Sequence, residues 1–184
     1  KQDVDAFSPQ AGVTSEPRPG LSVYAAYAKG FRPNSGFDFN RNPFEPEKTK
    51  SAEVGVKFKA FDGKLQGTLA AFRMTKTNVI TADPVNQGFS VAIGKARSKG
   101  IELETSGELP AEVRFMFSYA YTKAESASDV REPDFGKLVA AGDPLLNIPK
   151  HNVNLLLLKD FNVLDRKLTL GGNVKYVSKR LGET

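Results

Sequence analysis

Few side chains in this chain of 184 residues are suited to catalysis or to metal binding. The chain has no cysteine and one histidine, His151, which excludes thiolate metal sites, disulfide frameworks and histidine clusters. A carboxylate pair on one predicted strand, Glu102 and Glu104, is formally a catalytic arrangement, but with Lys99 nearby it is more typical of structural charge. No nucleophile accompanies a base. We therefore predict that the protein is not an enzyme and has no catalytic residue, metal site or cofactor.

The elements that must position any functional group are strands. The stretch from Leu65 to Gly107 predicts a hairpin with two long arms around a polar tip at 81–90. In the second arm we assign Ile101, Leu103 and Thr105 to one face, and Lys99, Glu102 and Glu104 to the other. Each arm exceeds the roughly five to six residues of a typical soluble strand. It reaches the roughly nine to eleven that cross a bilayer at a tilt, so the hairpin is predicted to span a membrane.

Similar alternation predicts the remaining strands, at Phe7–Thr14, Leu21–Ala28, Ser51–Ala60, Val113–Tyr121, Asn152–Lys159 and Lys167–Ser178. The connections alternate in length. Short turns are predicted around Pro17–Gly20, Asp62-Gly63 (a type I′ signal), Glu108–Glu112 and Asp160–Arg166, and long loops at Lys29–Lys50, 81–90 and Lys123–Ile148. In an antiparallel meander every second connection lies at the same end, so all the long loops are expected together, as in an outer-membrane barrel.

We therefore predict an all-β fold, an antiparallel up-and-down meander that forms a segment of a transmembrane β-barrel. The alternative is a soluble β-sandwich that acts as a binding or adhesion module. In the barrel, lipid would contact Val54, Val56, Phe58, Val113, Phe115 and Phe117, and the lumen would contain Glu53, Lys57, Arg114 and Glu102.

Aromatic residues lie near both ends of the predicted strands. The tyrosines near the long-loop ends are Tyr27, Tyr119, Tyr121 and Tyr176, and the phenylalanines near the short-turn ends are Phe58, Phe61 and Phe161. Two such sets are typical of the aromatic girdles of a membrane barrel. The alternative interpretation is that they are core aromatics of a soluble sheet.

Basic residues outnumber acidic ones, giving a net charge of +5, but they are scattered along the chain. The strongest local cluster is Lys95, Arg97 and Lys99, which we interpret as a solvated strand face rather than a nucleic-acid contact. No nucleic-acid partner is expected. The chain begins at Lys1 without a signal peptide, so we expect it to be an internal piece of a longer protein.

Four stretches, in order along the chain, resemble the barrel of the TonB-dependent siderophore receptors of the bacterial outer membrane, of the ferrichrome type. They are SVYAAYAKGFRPNSG (22–36), FEPEKTKSAEVGVKF (44–58), GKARSKGIELE (94–104) and LNIPKHNVNL (146–155). Each stretch alone is weak evidence of the resemblance, but the four together span most of the chain in the expected order. Pro149 fits this pattern, because a residue without an amide donor suits the start of a strand.

The resemblance implies a barrel of twenty-two strands filled by an N-terminal plug domain. It also implies uptake of ferric siderophores by active transport, with energy from the TonB complex. No plug and no energy-coupling box are recognisable here, and the chain ends in Leu-Gly-Glu-Thr rather than in an aromatic residue. We therefore expect residues 1–184 to be a partial barrel without a plug. Its expected partners are a ferric siderophore, outer-membrane lipid and, through the missing N-terminal part, the TonB complex.

In this architecture substrate first meets the long loops. A ferric siderophore needs aromatic surface and a few hydrogen-bond donors, since its iron is already coordinated. The predicted ligand-binding residues are Arg32, Phe37, Phe39, Phe44 and Phe89. The alternative is that these aromatics pack the loops against one another. Hydroxamate siderophores are the first substrate expected from the resemblance.

Overall fold

The computed structural model describes residues 7–83, 85–131, 138–164 and 166–182, and these form one ten-stranded antiparallel sheet. The strands are β1 (Gln10–Arg18), β2 (Leu21–Arg32), β3 (Glu47–Ala60), β4 (Leu65–Ala82), β5 (Ser90–Leu109), β6 (Val113–Ser126), β7 (Val130–Arg131), β8 (Leu138–Val139), β9 (His151–Val163) and β10 (Arg166–Val177). A 3₁₀ turn at Pro110–Glu112 joins β5 to β6. Within the described residues, no helix is long and apolar enough to cross a membrane.

The strands pair in the order β1-β2-β3-β4-β5-β6-β9-β10, so each main strand pairs with its neighbour in sequence. The two short strands lie off this path: β7 pairs with the outer end of β4 and with β8. The predicted antiparallel meander is therefore confirmed. The short connections lie at one end of the sheet, at 19–20, 61–64, 110–112 and 164–165, and the long ones, 33–46, 83–89 and 127–150, lie at the other.

The sheet has two faces of different chemistry, which follow directly from the register because residues directly opposite each other share a face. The apolar face contains Leu21, Val23, Val54, Val56, Phe58, Leu69, Ile101, Leu103, Phe115, Phe117, Leu155, Leu157, Leu170 and Val174. The polar face contains Tyr24, Glu53, Lys57, Thr68, Glu102, Glu104, Arg114, Ser118, Asn152, Asn154 and Asn173. The residues predicted to contact lipid all lie on the apolar face, and those predicted to line the lumen all lie on the polar face.

The apolar face is not covered by another layer. Val54 is 57% exposed, Val174 is 67% exposed, and the buried apolar residues among those described are only Phe44, Ala70 and Ala124. A soluble sandwich buries its apolar face under a second sheet, and a water-soluble monomer rarely exposes so large an apolar surface. The β-sandwich alternative is therefore wrong. The apolar surface is arranged to contact lipid.

The aromatic residues occupy the positions expected for two girdles. Tyr27, Tyr119, Tyr121 and Tyr176 share the apolar face near the long-loop end, and Phe58 and Phe161 share it near the other end. Phe61 is 74% exposed in the turn after β3. His151 lies beside Tyr121 in register and shares a hydrogen bond between its Nδ1 and the Tyr119 hydroxyl (3.0 Å), as expected for a rim residue.

The turn predicted at Asp62-Gly63 forms with the expected left-handed backbone, with φ of 55° at Asp62 and 86° at Gly63. The Lys64 amide donates to the Phe61 carbonyl at 3.0 Å, as a tight turn requires. The connection between β3 and β4 has four residues. Its first residue, Phe61, is also left-handed, with φ of 54°, and the Gly63 amide donates to the Ala60 carbonyl at 3.2 Å, which forms a second, overlapping turn. This left-handed turn returns the chain antiparallel at the short-turn end.

The structure corrects several boundaries and one face. The first strand is Gln10–Arg18 rather than Phe7–Thr14, and the Lys29–Lys50 loop shortens to 33–46 because β2 and β3 extend beyond the predicted ends. Lys99, predicted to share the face of Glu102, instead pairs with Arg73 and Lys123 and shares the face of Ile101. Its position is odd, as is that of Ile101, so strict alternation places both on the apolar side.

Candidate ligand-binding site on the long loops

Two of the long loops meet through an aromatic contact. The rings of Phe39, in the β2–β3 loop, and Phe89, just before β5, pack edge to face with centroids 5.0 Å apart and planes at 90°. Both rings keep a free surface, since Phe39 is 50% and Phe89 44% exposed. We name this contact the Phe39–Phe89 pair. It joins two predicted site residues that are far apart in sequence into one accessible aromatic surface.

Hydrogen bonds within each loop hold the two rings. Asp38 accepts from the Asn42 amide at 2.8 Å, and its own amide donates to the Asn42 carbonyl at 2.9 Å. At the β4–β5 tip, the Asp83 carboxylate accepts from the amides of Val85 and Asn86 and from the Asn86 side chain. These donors, the Asn86 side chain first, lower the pKa of Asp83 below its usual value. Each loop is thus preorganised by an Asx-type turn.

Arg32 ends β2, and its guanidinium is mostly exposed. Its Nη2 lies 3.3 Å from the Glu47 Oε2, while the Lys76 Nζ lies 3.1 Å from the Glu47 Oε1. The Glu47 side chain is 8% exposed, but that of Arg32 is 72% exposed. The buried carboxylate therefore holds the guanidinium through Nη2, while the remaining donors of the exposed group can face a ligand.

The predicted site residues do not all lie together. Phe37 is 64% exposed and pairs through a β-bridge with Pro43 within its own loop. Phe44 is 7% exposed, and its ring covers Gly36 so closely that an added Cβ there would lie 2.9 Å from the ring. The Phe44 ring thus packs inside its loop, as the alternative interpretation expects of these aromatics. Gly36 has φ of 110°, which favours glycine at this close approach.

Sequence reasoning missed the residues that hold the β2–β3 loop against the sheet. The Asn34 side-chain amide donates to the carbonyls of Glu45 (2.7 Å) and Asn78 (2.9 Å), and the Asn78 amide donates to the Pro46 carbonyl (2.9 Å). We name Asn34 and Asn78 the asparagine clasp. Asn34 is 6% exposed, and Asn78 has φ of 58° where the β4–β5 register shifts. The sequence does contain one signal for Asn78, which interrupts a run of β-branched residues in β4. Asparagine tolerates the left-handed region of backbone conformation better than its neighbours do.

The polar face below the loops contains a wide concavity of about 690 Å³, nearer the short turns. Its lining includes Lys57, Gln66, Glu104, Ser118 and Asn154. Elsewhere on this face the Tyr24 hydroxyl donates to Glu53 at 2.6 Å, and Arg114 forms an ion pair with Asp160 at 3.0 Å. The concavity lies apart from the Phe39–Phe89 pair, so the aromatic site and the polar trough are separate features.

The chain matches the family model described as "TonB dependent receptor-like, beta-barrel" over residues 1–183. It is 37% identical over its whole length to the metal-pseudopaline receptor CntO of Pseudomonas aeruginosa and covers 25% of that protein. It is 33% identical to the ferrichrome outer membrane transporter/phage receptor of Escherichia coli K12, again over all of this chain and 24% of that protein. The chain thus spans about a quarter of the length of these curated relatives.

Solved structures give the same architecture. BauA, the ferric preacinetobactin receptor of Acinetobacter baumannii, superposes with a TM-score of 0.75 at 29% identity, covering 94% of this chain and 26% of that one. The siderophore receptor PiuA of the same species superposes with a TM-score of 0.74 at 26% identity, covering 91% of this chain and 25% of that one. The curved sheet with its long loops at one end is the part of these proteins that the chain shares.

Proposed function

Because this chain belongs to the TonB-dependent receptor β-barrel family and lies in the bacterial outer membrane, we propose that it forms one wall of a receptor that takes up ferric siderophores. Its apolar face contacts lipid, its polar face lines the lumen, and its long loops collect substrate. The TonB complex supplies energy through the plug-bearing N-terminal part that the family resemblance implies. The family consists of transport receptors, so we propose that the protein acts as a transporter and not as an enzyme.

The observation that supports this function best is the Phe39–Phe89 pair. Two exposed rings, preorganised on separate loops, offer the flat apolar surface that the organic backbone of a chelate needs. The exposed Arg32 guanidinium supplies donors for the polar rim of the chelate. Phe37 is exposed in the same loop as Phe39, so the proposed site comprises Arg32, Phe37, Phe39 and Phe89, while Phe44 packs within that loop.

We propose hydroxamate siderophores as the first substrates to test. Relatives carry the names of a ferrichrome transporter, a ferrioxamine B receptor and a metal-pseudopaline receptor. These names cover different metal carriers, so the substrate panel must include several chelate classes.

The test is equilibrium binding of this panel to the full-length receptor and to its Phe39→Ala/Phe89→Ala variant. Truncating aromatic anchors typically costs about 1–2 kcal/mol each, so we expect affinity for the cognate chelate to fall by roughly thirtyfold or more. The matched control is Phe61→Ala, which removes an exposed ring at the opposite end of the sheet. Unchanged affinity across the panel, with the barrel folded, would remove the pair from the binding site.

A further inference from the structure

Two cations share one buried carboxylate on the polar face, at its long-loop end. The Glu47 carboxylate contacts the Arg32 Nη2 through its Oε2 at 3.3 Å and the Lys76 Nζ through its Oε1 at 3.1 Å. The register places all three residues on the polar face, because Arg32 pairs with Glu47, and Lys76 pairs with Thr49 on the same side of β3. We name Arg32, Lys76 and Glu47 the carboxylate clamp.

The carboxylate of the clamp lies behind its two cations. The Glu47 side chain is 8% exposed, whereas the Lys76 side chain is 42% and the Arg32 side chain 72% exposed. An ammonium and a guanidinium both carry more N–H donors than the single contact that each makes with Glu47. Two positive charges therefore surround one negative charge, and donors beyond those that Glu47 uses face the lumen.

The described strands supply no second carboxylate around the clamp. The residues in register with Lys76 across the polar face are uncharged, and so are those of the next row inward. They are Gly30, Thr49, Ala96 and Ser126 in the first row and Ala28, Ser51, Met74, Ser98 and Ala124 in the second. In the loops, Asp38 and Asp83 accept hydrogen bonds from their own turns, and Glu45 is exposed to solvent, which screens its charge. The clamp thus keeps an excess of positive charge that a ligand can neutralise.

The clamp lies at the base of the loops that carry the Phe39–Phe89 pair. Arg32 is the last residue of β2 and Glu47 the first of β3, so these two close the 33–46 loop on which Phe39 lies. Lys76 lies on β4, which leads into the 83–89 connection that ends in Phe89. A chelate that passes from the rings into the lumen therefore meets the clamp before it meets Glu53, the next charged residue inward on β3.

We propose that the carboxylate clamp binds a free carboxylate on the rim of a ferric hydroxamate chelate, so that the receptor selects such chelates over uncharged ones. This inference rests on the proposed uptake function and names the substrate class of that site. Glu47 shows the binding geometry, since each of its oxygens contacts one cation. A second carboxylate on the exposed side can accept charge-assisted hydrogen bonds from the remaining donors of both cations. Lys76 is thereby assigned a role in specificity beside Arg32.

The test uses the full-length receptor and one ferric trihydroxamate in two forms, with a pendant carboxylate or with the corresponding uncharged carboxamide. The readout is the ratio of the two dissociation constants, which isolates the charge from the rest of the chelate. Wild-type receptor should prefer the carboxylate form about tenfold, as one partly exposed charge-assisted contact provides. Added salt should reduce this preference. Lys76→Gln should reduce it to about twofold or less, while Lys76→Arg, which keeps the charge, should retain most of it.

The matched control is Lys48→Gln. Lys48 is exposed and follows Glu47 directly, but its side chain lies on the opposite face of β3. The control removes the same charge at the same level of the sheet, and it should leave the preference within about twofold of the wild-type value. Equal losses of preference in Lys76→Gln and Lys48→Gln would overturn the carboxylate clamp.

The comparison of the two forms on wild-type receptor remains decisive if Lys76→Gln fails to fold. Equal affinity for the carboxylate and carboxamide forms would overturn the carboxylate clamp and leave the proposed uptake function intact. The same holds if neither form binds while another chelate of the panel does. A receptor that binds no chelate of the panel would instead refute the proposed uptake function, and this inference with it.

Discussion

The assignment of Val54 to lipid predicts a depth-dependent cost for arginine along β3. Val54 is 57% exposed and is flanked in register by Ala25 and Ala71, so nothing in the sheet itself prevents an arginine there. In water, such a surface substitution changes stability by less than about 0.5 kcal/mol. In the bilayer it removes an apolar contact with lipid and places a charge in hydrocarbon.

The magnitude follows from position. Ala52 to Ala60 spans eight steps of about 3.4 Å, which at a tilt of about 40° cover about 20 Å of the bilayer normal. Val56 lies at the centre of this span, Val54 one row from it and Ala52 at the row of Tyr27. Arginine at the midplane of a barrel costs about 2–4 kcal/mol, falling to about 0–1 near the interface. We expect about 3 kcal/mol for Val56→Arg, about 2 for Val54→Arg and under 1 for Ala52→Arg.

The assay is denaturant unfolding of the full-length receptor from phosphatidylcholine vesicles, followed by heat-modifiable gel mobility. Two kcal/mol corresponds to about a thirtyfold change in the folding equilibrium constant. The control is Thr68→Arg, on the polar face beside Glu104 in register, which should remain within about 0.5 kcal/mol of wild type. A flat series, with all three β3 variants within about 0.5 kcal/mol, would refute a lipid-facing β3.

Two further predictions concern loops and strands. Asn34→Ala should leave the carbonyls of Glu45 and Asn78 without their hydrogen-bond donor and lower the free energy of unfolding by about 1–3 kcal/mol. This should speed proteolysis of the 33–46 loop, whereas the exposed control Asn40→Ala should not; equal cleavage rates would contradict the asparagine clasp. Gly100→Ala should destabilise by about 1–3 kcal/mol, because a Cβ there would clash with the Tyr121 carbonyl, while Gly30→Ala, with no atom within 4 Å, should be neutral or stabilising. The measurement is the unfolding midpoint of each glycine variant. Equal shifts for Gly100→Ala and Gly30→Ala would contradict the close approach of the Tyr121 carbonyl to Gly100.

Alternation along single strands was enough to predict the sheet, its faces and the end at which the long loops lie. Val54, Val56 and Phe58 recur with period two, and that period alone determines which side of the sheet they occupy. Strand ends were harder, because β4 and β5 continue past the apolar rows into Ala82 and Ser90, where polar and apolar residues no longer alternate.

The site was predicted only in part. Exposed phenylalanines in long loops are visible in the sequence, but whether a ring faces solvent depends on loop packing. Phe44 is covered because Gly36 leaves room for its ring, while Phe39 stays accessible beside Phe89. The asparagine clasp joins side chains to backbone carbonyls up to 44 residues away, and no sequence pattern encodes such partners.

The most direct test of the central claim, that the apolar face contacts lipid, is a nitroxide scan of β6 in the full-length receptor in vesicles. Single cysteines at positions 113–121 in a cysteine-free background would carry the spin label. Collision with oxygen, which partitions into hydrocarbon, should then oscillate with a period of two residues. Maxima are expected at Phe115, Phe117 and Tyr119, and minima at Met116 and Ser118 on the polar face. No oscillation, or maxima at Met116 and Ser118, would contradict the account.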